Sequence, residues 1–318
     1  MRQRDPAALV DAARAGDRVA LARLLSMVER GGDDGRAVAR LVFPLGGTAY
    51  TVGITGSPGA GKSTLTDQLI RGVRTDGGEV AVLAVDPSSP YSGGAFLGDR
   101  VRMQDHATDP GVFVRSMASR GHLGGLALAT PEAIRVLDAA GFPLVLVETV
   151  GVGQVELEVA GAADTTVVVM NPGAGDAVQA HKAGLIEVAD IFVINKADRP
   201  GAEQLLSELR EALDLTAIDE GDWTPPIVKT VASTGEGVAD VRAAVAEHRS
   251  FLEAGGGLDE RRSRRLHEEL REIVARRLDE RAFALVGESR FDHLRVGMLG
   301  RTVDPYTAAD EILATLPS

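Results

Sequence analysis

The chain contains no cysteine, which excludes a disulfide framework, thiolate metal sites and a cysteine nucleophile. It has no charge-free apolar run approaching the about 18 residues that a membrane-spanning helix needs. The opening stretch, MRQRDPAALVDAARAGD, scatters charge where a secretion signal would carry an apolar centre. Basic residues are in deficit, with 34 Lys and Arg against 46 Asp and Glu and a net charge of −12. Nonspecific nucleic-acid binding needs surface of the opposite sign. No internal repeat or long low-complexity tract interrupts the sequence. Together these absences predict a cytoplasmic protein with no nucleic-acid and no membrane partner.

What is present is apolar content of 44%, enough for a sizeable core in a chain of 318 residues. A helical hairpin is expected first: Asp5-Pro6 starts one helix, Gly16 ends it, and Asp17 caps a second carrying Val19, Leu21, Leu24, Leu25 and Val28. GGDDGR (31–36) reads as a linker. From about residue 50, short apolar runs alternate with helical stretches: TVGIT, then 80–85, 112–117, 143–148, 165–170, 191–195 and 226–232. Continuous rather than alternating apolar character suits strands buried on both faces, hence a mostly parallel α/β sheet wrapped by helices. GGG at 255–257 marks a boundary, after which the chain reads as helical. The expected organisation is an N-terminal helical segment (1–36), a nucleotide-binding domain (37–254) and a C-terminal helical arm (255–318). Arg261, Arg262, Arg264 and Arg265 lie beside a helical stripe of Leu266, Leu270, Ile273, Val274 and Leu278. Acids interleaved with these arginines predict a solvated helix face.

GSPGAGKST, from Gly56 through Ser57, Pro58, Gly59, Ala60, Gly61, Lys62, Ser63 and Thr64, fits the phosphate-binding loop G-x-x-x-x-G-K-[ST]. Its glycines let successive N–H groups turn inward toward phosphate oxygens, and the following helix offers its positive end to the same anion. Lys62 supplies a cation for the β- and γ-phosphates, and the Ser63 hydroxyl a ligand for Mg²⁺. Further oxygen ligands are offered by Asp86 and Glu148, each ending an apolar run, and by Asp99 in YSGGAFLGDR. The alternative is that Asp86 opens the turn DPSSP and Asp99 caps a helix.

NKAD, beginning at Asn195, follows another apolar run, so it emerges on the same sheet edge. A carboxylate at Asp198 can accept from guanine N1–H and N2–H₂, whereas adenine would leave it without a partner. A buried acceptor in that condition costs on the order of 2–3 kcal/mol, enough to select guanine. Asn195 is expected to brace the loops and the Lys196 stem to cover the base. Val231, Ala232 and Ser233, in VASTGEG, are candidates for backbone contacts to the guanine edge. Glu148 is followed three residues later by Gly151, which resembles a GTPase switch whose glycine N–H senses the γ-phosphate. The chemistry expected is GTP binding and hydrolysis.

Several stretches together resemble the MeaB/ArgK family of P-loop GTPases: GSPGAGKST, DPSSPYSGGAFLGDRVRM (86–103), ETVGVGQVE (148–156), NPGAGDAVQAHKAG (171–184) and NKAD. The resemblance covers about residues 50–240. It implies a P-loop core of the signal-recognition and MinD-like (SIMIBI) class, with GTP or GDP and Mg²⁺ bound. Asp86, Asp99 and Glu148 match the family's acids around the metal. Gln179 and Lys182 match a switch loop that couples partner binding to hydrolysis. The implied role is chaperone of an adenosylcobalamin-dependent acyl-CoA mutase of the methylmalonyl-CoA mutase type, protecting it and gating cofactor loading. A C-terminal homodimerisation arm is implied as well. The alternatives are a nickel-metallochaperone GTPase, which wants Cys or His clusters, and an ArgK-type transport-associated kinase, which NKAD disfavours.

Overall fold

The computed structural model describes residues 5–87, 106, 108–119, 125–149, 161–173, 184–215 and 221–314. Three helices open it: α1 (Pro6–Arg14), α2 (Arg18–Arg30) and α3 (Gly32–Val42). Asp5 and Asp17 cap the first two, their carboxylates accepting from Ala7 N and from Val19 and Ala20 N. The stretch 31–36, expected as a linker, is instead largely the first turn of α3. Two features make it helical. Asp33 and Asp34 face the positive end of the helix dipole, and Gly35 packs so closely on α2 that a Cβ there would lie 3.1 Å from the Met27 carbonyl.

The sheet follows. In chain order come β1 (Tyr50–Gly56), α4 (Lys62–Thr75), β2 (Val80–Pro87), β3 (Val112–Ser119), α5 (Gly125–Ala139) and β4 (Leu144–Thr149). Then come β5 (Thr165–Met170), α6 (Leu185–Val188), β6 (Ile191–Asn195), α7 (Ala202–Asp214), β7 (Ile227–Thr230) and α8 (Val238–Ala254). The seven strands order as β3-β2-β4-β1-β5-β6-β7, and every pairing is parallel. All seven runs read from the sequence are strands.

Alternation along each strand explains those unbroken apolar runs. Ala81, Leu83, Val85, Val145 and Val147 face a core built with α1–α3 and α5. Their neighbours Val80, Val82 and Leu146 join Val52, Ile54, Val167 and Val169 against α4 and α8. A third cluster packs Val168, Met170, Phe192 and Ile194 on α7. With both faces covered, the inner strands leave no position for a polar solvent face; at the edge, Lys229 of β7 is exposed.

Two compact units divide the chain, Met1–Arg265 and Leu266–Ser318. The first turns of α9 (Gly257–Val286) belong to the first unit. The remainder of α9, α10 (Glu288–Leu299) and α11 (Pro305–Leu313) make up the second. Leu266, Leu270, Val274 and Leu278 form an exposed apolar row along α9. No helix among the described residues is long and apolar enough to cross a membrane.

The arginine cluster corrects the expectation of a solvated face. Arg261 grips the Asp190 carboxylate with two nitrogens (2.9 and 2.7 Å). Arg262 (2.8 Å) and Arg265 both hold Asp164. Only Arg264 of the four keeps an exposed, local partner, Glu260. The acceptors lie 71 to 101 residues earlier in sequence, so local charge interleaving gave no sign of them.

Candidate functional site

The phosphate loop lies where β1, central in the sheet, hands over to α4. Gly56 (φ 130°) closes the strand against the Val169 carbonyl, which a Cβ would approach to 1.9 Å. Gly61 (φ 96°) sits at the start of α4, where a Cβ would meet the Asn195 amide at 2.3 Å. Both positions therefore require glycine sterically as well as conformationally. Ser57, Pro58 and Gly59 form the rim of the loop, while Ala60 is buried and Thr64 half-buried on α4.

Lys62 is buried and folds back on its own loop, its Nζ donating to the Gly56 carbonyl (2.6 Å) and the Ser57 carbonyl (3.1 Å). Beside it, Ser63 Oγ donates to Glu148 Oε1 at 2.6 Å. Glu148 is delivered by β4, the strand paired with β1 so that Ile54 stands opposite it, and is only 1% exposed. A hydroxyl and a carboxylate in contact at the head of α4 are a donor set of hard oxygens. That set suits Mg²⁺ and not a soft metal.

The base motif is joined to this loop by direct bonds. Asn195, at the end of β6, donates its Nδ2 to the Ala60 carbonyl (2.8 Å). Its Oδ1 accepts from the Ala232 N–H (3.0 Å) and the Thr230 hydroxyl (3.1 Å). Lys196 adopts a left-handed φ of 57° and donates Nζ to the Gly59 carbonyl (2.6 Å). Asp198 follows, exposed at the rim. In the neighbouring turn the Val231 N–H goes to Glu236 O and the Ala232 N–H to Asn195. Of the three amides expected at the guanine edge, only Ser233's has no acceptor among the described residues.

The structure thus brings together Gly56 to Thr64, Glu148, Asn195, Lys196 and the 231–233 turn. Asp86, next to last in β2, is in register with Ala118, but its side chain lies outside what is described. Asp99, Gly151, Gln179 and Lys182 also lie outside the described residues. Thr230 escaped sequence reading, although a buried hydroxyl closing the IVKT strand beside NKAD was a usable sign of it.

A glycine-cornered phosphate loop with a buried lysine, a Ser–Glu oxygen pair and a tethered NKAD motif is built for a guanine nucleotide. Comparison with known proteins agrees. The MeaB family model, described as "Methylmalonyl Co-A mutase-associated GTPase MeaB", matches residues 21–286. A protein of Pyrococcus abyssi, provisionally named a GTPase, is 51% identical over 307 residues, spanning 96% of this chain and 95% of its own. The GTPase ArgK of Escherichia coli is 36% identical over 285 residues, 85% of this chain and 84% of the relative. The mouse methylmalonic aciduria type A homolog is 38% identical over 216 residues, 67% of this chain and 52% of the relative. A solved structure described as a LAO/AO transport system kinase superposes with a TM-score of 0.75 at 28% identity, covering 99% and 98% of the two chains. The chain belongs to the MeaB family of P-loop GTPases and hydrolyses GTP.

Proposed function

We propose that this GTPase is a chaperone of an adenosylcobalamin-dependent acyl-CoA mutase, protecting it and gating cofactor loading through GTP hydrolysis. The observation that carries the reading is the family itself, described as methylmalonyl-CoA mutase-associated and matched over residues 21–286. In this reading the Gly56–Thr64 loop cradles the phosphates, and Lys62 exchanges its loop carbonyls for β- and γ-phosphate oxygens. Ser63 and Glu148, with Asp86 and Asp99, hold Mg²⁺, which offsets charge developing on the γ-phosphate. Gly151 senses that phosphate. Asp198 selects guanine, Lys196 covers the base, and the Ser233 amide faces its edge. The exposed apolar row of α9 is the surface proposed for homodimerisation.

Coupling to the mutase is assigned to Gln179 and Lys182, which are three residues apart and share a face if helical. One would orient the attacking water and the other supply a second cation. The test is steady-state phosphate release with and without a candidate mutase. Native protein should be stimulated, and alanine at both positions should abolish the stimulated part. Stimulation that survives in the double variant would move the coupling elsewhere. A native protein unmoved by any such mutase would remove the chaperone reading.

A further inference from the structure

At the N-terminal edge of the sheet, opposite the phosphate loop along the strands, lies a second buried polar cluster that the nucleotide chemistry does not use. Its centre is His248 of α8, which has no exposed surface. The ring's Nδ1 is 2.8 Å from the Thr165 hydroxyl, which in turn is 2.6 Å from the Tyr50 hydroxyl. Its Nε2 faces Asp190 Oδ1 at 3.2 Å. Asp190 is also the residue clasped by Arg261. One polar chain therefore links the first residue of β1 (Tyr50), the first residue of β5 (Thr165), the residue before β6 (Asp190) and the root of α9.

The arginines extend the same grip. Arg262 donates to the Gly47 and Ala49 carbonyls just before β1, and Arg265 to the Ala162 carbonyl just before β5. Two of the three strands held in this way end in nucleotide-site motifs, and the third leads into the 171–184 stretch. β1 ends in the phosphate loop, β5 leads to Asn171, and β6 ends at Asn195. Asp164 and Asp190, whose side chains are 1% and 7% exposed, take their arginine partners from α9 and also accept from the Thr51 and Thr166 N–H groups at the roots of β1 and β5. Removing an arginine from a buried carboxylate is costly, so the clamp ties α9's first turns to the roots of these strands.

We propose that this arginine clamp is a relay: the nucleotide state at the C-terminal ends of β1, β5 and β6 is felt at their N-terminal ends and passed by Arg261 to helix α9. A change of the γ-phosphate shifts the loops at one end of these strands. Packed strands transmit small displacements rather than absorb them, because the interior is dense. At the other end the displacement meets the clamp, whose geometry sets the position of α9's first turns.

The cluster contains its own reporter. Trp223, the only tryptophan in the chain, donates Nε1 to the Asp190 carbonyl at 2.7 Å. Its ring lies 4.8 Å from that of His248. Intrinsic emission of the full-length protein should be recorded with Mg²⁺ and saturating GDP, then with a non-hydrolysable GTP analogue. The native protein should emit differently in the two states. Arg261→Gln should erase that difference while both nucleotide affinities stay within about threefold of native, since among the described residues Arg261 bonds only to Asp164 and Asp190. Identical native spectra in the two states overturn the relay without any variant. So does a difference that persists undiminished in Arg261→Gln. Should that variant not fold, Arg261→Lys keeps the charge and loses the two-pronged grip, and full retention of the difference there overturns the proposal equally.

Discussion

Asn195 bridges three segments with one amide, and its removal is the most informative perturbation of the nucleotide site. It is 2% exposed and makes three bonds, to the Ala60 carbonyl, the Ala232 N–H and the Thr230 hydroxyl. Each bond contributes about 0.5–1.5 kcal/mol net, and each main-chain group left buried without a partner costs about 1–3 kcal/mol. Ala60 and Ala232 are both buried, so Asn195→Ala should destabilise the first unit by about 2–4 kcal/mol. At a urea dependence of about 3 kcal/mol per molar, the midpoint falls by roughly 1 M. Trp223 lies in that unit, so its emission during urea titration reads the relevant transition. GDP affinity should fall at least about tenfold, because the Ala60 carbonyl is no longer held and the phosphate loop loses its preset shape. Asn195→Asp sharpens the test. It keeps the acceptor for Ala232 and Thr230 but sets a carboxylate oxygen against the Ala60 carbonyl, so the damage should concentrate in GDP binding. A midpoint within about 0.2 M of native for Asn195→Ala, together with native GDP affinity, would refute the reasoning.

The loop glycines should separate by crowding rather than by conformation alone. Gly61→Ala drives a Cβ to within 2.3 Å of the Asn195 amide and should abolish calorimetric GDP binding. Gly59→Ala has φ 74° but nothing within 4 Å, so it should add only about 1 kcal/mol of backbone strain and leave binding measurable; equal losses would count against the crowding argument. At the opposite edge, burial pushes the Tyr50 hydroxyl from 10.0 up to about 12. With a raised folded value, its contribution is full below pH 10 and lost as pH rises toward 12, on the order of 2–3 kcal/mol. Urea midpoints taken between pH 9 and pH 11 should therefore fall more steeply for native protein than for Tyr50→Phe. Parallel slopes would show that Tyr50 does not set the alkaline limit.

Much of the fold was legible because it follows from local rules. A strand covered on both faces is apolar along most of its length, and all seven such runs formed strands. The helix starts at Pro6 and Arg18 were marked by Asp5 and Asp17 immediately before them. The phosphate loop was legible because its glycines meet demands that no other residue can, as the crowding at Gly56 and Gly61 shows. What stayed hidden depends on partners distant in sequence. The start of α3 looked like a linker because its four-residue GDDG opening has low helix propensity, which packing on α2 overrides. The arginines of α9 looked solvated because nothing near them in sequence reveals Asp164 and Asp190. Nothing near His248 in sequence points to Thr165 or Asp190 either.

The all-parallel strand order sets a timetable for synthesis. β1, central in the finished sheet, pairs with β4 on one side and β5 on the other, and neither exists until Leu144 and Thr165 have left the ribosome. At about 5–20 residues per second, the strand ending in Gly56 waits roughly 5–20 s for its first neighbour. The helices α1–α3 come out earlier and have mutual contacts to make, but the core face they complete also needs β2, β4 and α5. Throughout that interval a strand with all seven positions destined for burial stands open to water. Nascent chains of this protein should thus be substrates for ribosome-associated holding factors, and slowing translation should lengthen their exposure rather than shorten it.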